Sequence, residues 1–423
     1  SLVNTRGSVL SDEEHALFEI ENETMQKVID ILELAIIELQ NKKFESKEEK
    51  TTFHEICHYC FILLRALPIP KDDVDKIKHI YKLITYSYLG ERWQDGRRFL
   101  IEHDDVWSVN ENESKWDLRL FKKIYIAFLY LVRKSTWKDL EIASQLIVEL
   151  RKEQKIFEDS YLNEIPSELI HGSAFELIGL YHLAKAIDLT AEFMINGRLL
   201  DIREHLNFHL EKAIESAESS YNIEMNLTLM LLKSMLLQMV SNSVWMVTQR
   251  VNSHVSNFVE SITKSNKPVF ELLYPQKAAI LEEGLLDPAH KAVIVDMPTS
   301  SGKTALAEFR ILQALNQFAE DGGWVAYVVP TRALVNQITN RLKRDFEPIN
   351  ITVEKVSGAL EIDLFEENLI KHDANKFDIL VTTPEKLNLL VRKGIENDLK
   401  RPLALAVIDE AHNLEDKTRG INY

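Results

Sequence analysis

The sequence predicts a two-part protein: an all-α region over residues 1–267, then an α/β region over 268–423 built around a phosphate-binding loop. Three observations carry this. Residues 1–267 hold only six glycines and three prolines, and their apolar side chains recur at helical spacing. After Lys264-Ser265-Asn266-Lys267-Pro268, β-branched runs alternate with helical patterns, as in a parallel sheet with helices on both faces. Within that second region, Val295 to Phe309 reads strand, tight small-residue loop, Gly-Lys-Thr, helix.

The helical region comes first. Met25, Val28, Ile29, Leu32, Ala35, Ile36 and Leu39 mark one amphipathic helix, and Leu140, Ala143, Ile147 and Leu150 another. About ten helices in antiparallel hairpins are expected. Breaks fall at Leu67-Pro68-Ile69-Pro70, Gly90 to Gly96, Ser108 to Ser114 and Ile165-Pro166-Ser167. Between Phe175 and Ser220, Gly179, Ala184 and Ala186 fall where helices can approach closely. Phe208 to Ile214 resembles the second helix of a tetratricopeptide-like unit. No strict period is present, so a plain helical bundle is favoured over a solenoid.

Two clusters here admit more than one reading. His54, Cys57, His58 and Cys60 resemble a metal cluster, but a single C-x-x-C lacks a second pair. On one helix, two cysteines three apart are small core residues, which is the favoured reading. Arg92, Trp93, Arg97, Arg98 and Phe99 mix basic and aromatic side chains. A solvated loop or a protein-binding patch is favoured over a nucleic-acid surface.

In the α/β region, strands are expected at Ala292–Val295, Val325–Val329, Ile351–Val356, Ile379–Val381 and Leu405–Ile408. The helix opened by Lys303-Thr304 should bury Leu306, Phe309, Ile311 and Leu312. Backbone N–H groups of such a loop point at phosphates, and the helix dipole favours the anion. Met297 stands where the full G-x-x-x-x-G-K-[ST] pattern has its first glycine. The strand Leu405-Ala406-Val407-Ile408 ends in Asp409-Glu410-Ala411-His412. An aspartate at a strand's carboxyl end can hold a magnesium shell, and the next glutamate can polarise a water. The acidic stretch Glu361 to Leu369 is expected to be a solvated helix following Gly358.

MPTSSGKT, VVPTRALVNQ, VTTPEKL and VIDEAHN, at 297–304, 328–337, 381–387 and 407–413, resemble motifs I, Ia, Ib and II of superfamily-two DEAD/DEAH-box helicases, in family order. The Ser-Ser-Gly-Lys-Thr loop is most like the superkiller-type branch. Leu273-Tyr274-Pro275-Gln276 resembles the adenine-reading segment, Val356-Ser357-Gly358 a glycine turn of the family, and Arg419-Gly420 a pair that follows motif II. The resemblance covers about 270–423 and implies a RecA-like ATP-binding domain.

By motif position, Gln276 would read adenine, and Thr299, Ser300, Ser301, Gly302 and Lys303 would cradle the phosphates of ATP. Thr304 and Asp409 would bind Mg²⁺, Glu410 would orient the attacking water, and His412 would link nucleotide state to the track. Thr331, Arg332, Thr383 and Pro384 would lie along single-stranded nucleic acid, with DNA favoured over RNA. Lys303, Asp409, Glu410 and His412 form the expected catalytic set. The chain stops just past motif II, so the resemblance implies an incomplete first RecA-like domain of a longer helicase. Such a segment is expected to be inactive alone, with the second RecA-like domain and its arginine finger lying elsewhere. Helicase subunits of Hachiman-type bacterial anti-phage systems pair a motor of this general kind with an effector nuclease, and this chain could be one. The alternative is a non-catalytic scaffold whose helical region holds a partner protein.

Bulk properties limit these readings. The formal charge is −16, from 50 basic and 66 acidic residues, and both regions are acidic. This argues against coating nucleic acid by bulk electrostatics, though not against a motor with a few backbone contacts. The apolar stretch near Leu227–Val247 is broken by Lys233, Ser234, Gln238 and Asn242, so no membrane role is expected. Two cysteines alone fit a reducing cytoplasm.

Overall fold

The computed structural model describes residues 21–40, 44, 46–110, 113–197, 201–248, 255–298, 301–356, 377–396 and 401–411. Two compact units divide the chain: residues 1–246 with 266–274, and residues 247–265 with 275–423.

The first unit is helical. Its elements are α1 (Asn22–Gln40), α2 (Lys47–Ala66), α3 (Asp73–Leu89), α4 (Trp93–Glu102), α5 (Trp116–Arg133), α6 (Trp137–Glu164), α7 (Ile170–Asn196), α8 (Ile202–Ser219) and α9 (Ile223–Asn242). The breaks between them coincide with the proline, glycine and polar clusters of the sequence. Polar side chains cap several starts: Ser46 accepts from Glu49 N, Asp72 from Val74 N and Asp75 N, and Asn222 from Met225 N. Gly197 ends α7 with φ +61°, and a Cβ there would lie 2.2 Å from the Trp245 ring, so both the conformation and the space require glycine.

The predicted apolar faces are buried. Met25, Ile29 and Ile36 of α1 and Leu140, Ala143, Ile147 and Leu150 of α6 all lie in one core. Tyr81 is met edge-on by Phe128 at 4.8 Å and by Tyr125 at 5.7 Å. Cys57 and Cys60 are fully buried on α2 within this core, as the core reading expects. The Arg92 to Phe99 segment is a helix, not a solvated loop. Trp93 and Phe99 are buried in it because both aromatic rings fall on its core-facing side.

Helix α9 is long and apolar enough to cross a membrane by length and composition. Its Leu229, Leu232, Met235, Leu236 and Met239 are instead buried in the helical core. Its polar interruptions are partnered as well, Lys233 with Glu211 and Ser234 with Gln40.

Helix α10 (Val244–Val247) lies in the first unit except for its last residue, and the second unit holds α11 (Val255–Thr263), α12 (Tyr274–Leu281, from its second residue on), α13 (Lys303–Gln317), β1 (Trp324–Val328), α14 (Arg332–Phe346), β2 (Val353–Val356), β3 (Ile379–Thr382), α15 (Pro384–Glu396) and β4 (Leu403–Ile408). The four strands are parallel in the order β2-β3-β1-β4. Alternation along β1 divides its neighbours between two faces. Trp324, Ala326 and Val328 pack with Phe377, Leu380 and Leu390 of α15. Tyr327 turns the other way, to the face where its hydroxyl meets Asp409. Helix α11 packs with α13 and α14, since Phe258 stacks on Phe346 at 5.2 Å and meets Phe309 edge-on at 5.7 Å.

One expected strand is absent. Residues 292–298 form no ladder with any described residue; Ile294 is 93% exposed and Val293 41%. The composition is that of a strand, but β-structure needs a hydrogen-bonded neighbour, and among the described residues β4 pairs only with β1. The acidic stretch 361–369, the Gly358 turn and Arg419-Gly420 lie outside the described residues.

Candidate nucleotide and nucleic-acid site

Register brings the motif ends together. Val328 of β1 pairs with Thr382 of β3 on one side and Ile408 of β4 on the other. The three strands therefore finish level, and their following residues share the carboxyl edge, where parallel sheets bind ligands. Two further bonds extend the edge: Val329 N donates to Thr382 O at 3.0 Å, and Asp409 N to Val328 O at 2.9 Å. Thr331-Arg332, Thr383-Pro384 and Asp409-Glu410 thus emerge in a row.

The loop before α13 is held from several directions. Ser301 N donates to Pro298 O at 3.0 Å, and Lys303 Nζ donates to Met297 O at 3.1 Å. Gly302 has φ +73°, and a Cβ there would stand 2.4 Å from Gln276 Nε2. The same Gln276 nitrogen donates to Gly302 O at 3.1 Å, so the glutamine proposed to read adenine is seated against the loop. Gln276 and Ser301 are buried, while Lys303 and Thr304 are half-buried at the helix start. Thr299, Ser300 and His412 lie outside the described residues.

Asp409 is oriented from two sides. Its Oδ1 accepts from Glu410 N at 3.0 Å, and its Oδ2 accepts from the Tyr327 hydroxyl at 3.4 Å. Thr304, at the start of α13, also acts on this phenol. Thr304 and Asp409, about a hundred residues apart in sequence, are therefore both neighbours of Tyr327. Glu410 follows with φ 54°, a left-handed conformation uncommon for a glutamate. Such strain is often kept where function needs it. Burial and the neighbouring Asp409 charge hold the Tyr327 phenol well above its usual range.

Beneath this edge lies an ion pair the sequence did not single out. Glu308, one turn along α13 from Thr304, is buried and accepts from Arg341 Nε of α14 at 2.9 Å. Burial outweighs the pull of Arg341 and pushes the Glu308 carboxyl up to about 7. Tyr327 was missed as well. The signal available was strand alternation, which sets Tyr327 opposite Ala326 and Val328 and toward the Gly-Lys-Thr helix.

The four residues expected along nucleic acid differ in exposure. Thr331 and Arg332 are exposed at the start of α14, where the Thr331 hydroxyl caps Leu334 N at 3.4 Å. Thr383 and Pro384 are buried at the start of α15. A separate cleft, lined by Asn257, Asn316, Asn350, Asp378 and Arg401, opens at the amino ends of the strands, on the opposite edge.

Residues 274–423 match the DEAD/DEAH box helicase family. This part of the chain is a DEAD/DEAH helicase domain. Among known proteins, the chain is 33% identical over 157 residues to the ATP-dependent DNA helicase Hel308 of Methanococcus vannielii, covering 37% of this chain and 19% of that protein. It is 29% identical over 173 residues to Hachiman protein HamB of Bacillus cereus, covering 40% of the chain and 14% of HamB. It is 30% identical over 132 residues to activating signal cointegrator 1 complex subunit 3 of Danio rerio, covering 29% and 8%. The chain spans about a fifth or less of the length of these curated relatives.

Proposed function

We propose that this chain belongs to an ATP-dependent helicase or translocase that moves on single-stranded nucleic acid. The observation that carries the reading is the convergence of the motif ends on the carboxyl edge of the sheet, with Asp409 held there by Tyr327. The Thr304 hydroxyl and the Asp409 carboxylate are hard oxygen donors of the kind Mg²⁺ takes in phosphoryl-transfer sites. The donor set therefore fits the metal. When bound, Mg²⁺ would supply charge neutralisation for the β- and γ-phosphates.

The chain's own residues do the rest. Gln276 is placed to recognise adenine while supporting Gly302. By motif position, Thr299, Ser300, Ser301 and Gly302 would cradle the phosphate oxygens. Lys303 leaves Met297 O and neutralises phosphate charge. Glu410 accepts a hydrogen bond from the attacking water and aims it. His412 passes the nucleotide state onward. Thr331 and Arg332 contact the sugar–phosphate backbone, with Thr383 and Pro384 beside them, so binding is largely independent of sequence. DNA as the track is supported by the likeness to Hel308.

The test uses the intact protein. Lys303→Ala should weaken ATP binding and turnover together. Glu410→Gln should bind ATP normally yet turn it over at least ~10²-fold more slowly, within the range for positioned acid–base groups. ATPase near normal in Glu410→Gln would reject the assignment.

A second reading concerns the helical unit, which we propose holds a protein partner. Exposed Ile156, Leu169, Ile178 and Phe208 on α6, α7 and the loop and helix beside them support it. Likeness to Hachiman protein HamB supports a defence helicase working with an effector nuclease. Ile178→Glu with Phe208→Glu should release a co-purifying subunit while ATPase activity persists. Retention of that subunit would count against this surface.

A further inference from the structure

We propose that Tyr327 is a positioning residue for the magnesium half of the nucleotide site. Its hydroxyl would hold Thr304 and Asp409 in the arrangement that receives the cation. This rests on the reading above and deepens it.

Tyr327 is the penultimate residue of β1 and only 2% exposed. Strand alternation turns it away from Trp324, Ala326 and Val328 toward α13. Its ring fills space in the sheet–helix layer, which any aromatic could do. The hydroxyl is a different matter, because it bonds Asp409, one of the two residues expected to ligate Mg²⁺. It donates to Asp409 Oδ2 at 3.4 Å, and Thr304 is a neighbour that acts on the same phenol. The other Asp409 oxygen is taken by Glu410 N at 3.0 Å. Those two contacts orient the carboxylate, and one of them comes from a strand that carries no motif II residue.

The chemistry favours a phenol at this point. A lysine or arginine would satisfy Asp409 with a full positive charge and compete with the cation. A neutral O–H orients the carboxylate and leaves its charge for the metal. At 3.4 Å the bond is long for O–H···O, so it guides the carboxylate without locking it. Groups that orient metal ligands from behind typically change metal affinity by about 10–100-fold when removed.

The experiment is a titration of MgCl₂ into the intact protein with a fluorescent ADP, for wild type and Tyr327→Phe, with EDTA controls. The phenylalanine keeps the ring in the core and deletes one oxygen. Nucleotide affinity in EDTA should agree within about twofold between the two. Apparent Mg²⁺ affinity should fall by about tenfold in Tyr327→Phe, the lower end of the range for orienting groups. In an Asp409→Asn background, the same substitution should add less than about a twofold effect, since the acceptor charge is gone. Equal losses with and without Mg²⁺ would make Tyr327 merely structural and overturn the proposal. So would an unchanged Mg²⁺ response, or full additivity with Asp409→Asn. If the wild-type chain shows no Mg²⁺-dependent binding at all, the nucleotide-site reading itself fails.

Discussion

Lys134→Met should destabilise the helical unit severely. Lys134 follows α5 with φ 26°, and its side chain is 1% exposed. Its Nζ lies 2.6 Å from Glu271 Oε2, donates to the Tyr88 hydroxyl at 2.8 Å and to Val132 O at 3.3 Å, and rests over the Trp93 ring at 5.7 Å. The Glu271 side chain is wholly buried, and apart from Lys134 its carboxylate accepts from Tyr88 at 2.9 Å. Methionine matches the lysine stem and imposes the same backbone demand, so the change is mainly one of charge. Removing one partner of a buried pair costs about 3–5 kcal/mol, because the other charge is left uncompensated. A domain of 150–250 residues moves roughly 2–4 °C per kcal/mol. The expected fall in Tm is therefore roughly 6–20 °C, read from helical circular dichroism. Lys134→Met with Glu271→Gln removes both charges and keeps an acceptor for Tyr88, so it should regain at least half of that loss. A fall below about 2 °C in the single variant, or a double variant less stable than the single, would refute the argument.

Other expectations follow from burial. Burial pushes the Cys60 thiol up to about 12 and the Cys57 thiol higher still, so thiol reagents at neutral pH should react only as the chain unfolds. Metal analysis should find no stoichiometric zinc, and Cys57→Ala with Cys60→Ala should fold with a loss of about 1–2 kcal/mol; one tightly held zinc per chain would overturn the core reading. Glu308 titrates near 7 when folded and close to 4.3 when unfolded, so the folded chain holds the extra proton between those values. Its contribution to stability is full at low pH and is lost as pH rises through 7. Glu308→Gln should therefore show a smaller drop in Tm between pH 5 and pH 7.5 than wild type; equal drops would refute it.

Much of this molecule was legible in its sequence, and the failures have a common cause. Helical spacing placed α1 and α6 with their buried faces, and alternation of strand and helix placed the parallel strands. These are local signals, written within one or two turns of chain. Ala292–Val295 has strand composition too, but pairing is a property of two segments, and nothing local says whether a partner will line up. The bond from Tyr327 to Asp409 depends on register between β1 and β4. Motif order brought Thr304 and Asp409 to one site, but only register revealed the tyrosine beside them.

The same limit governs where one unit ends. A shift in texture at Lys264 to Pro268 suggests a single cut, with helices before and sheet after. The units instead take the flanking segments crosswise. Residues 247–265 are helical by pattern, yet Phe258 finds its partners in Phe309 and Phe346. Residues 266–274 return to the helical unit. Val244 N donates to Phe270 O at 2.9 Å and Leu272 N to Asn242 O at 2.8 Å, around an antiparallel bridge between Ser243 and Glu271. Phe270 and Leu272 are buried there, and Glu271 meets Lys134. A helical fragment ended at 267 would keep every predicted helix and still leave Lys134 as a buried cation without its carboxylate. Glu271 also stands five residues before Gln276. The chain that leaves the ion pair is thus the chain that enters the nucleotide site, and helical texture alone could not have announced that connection.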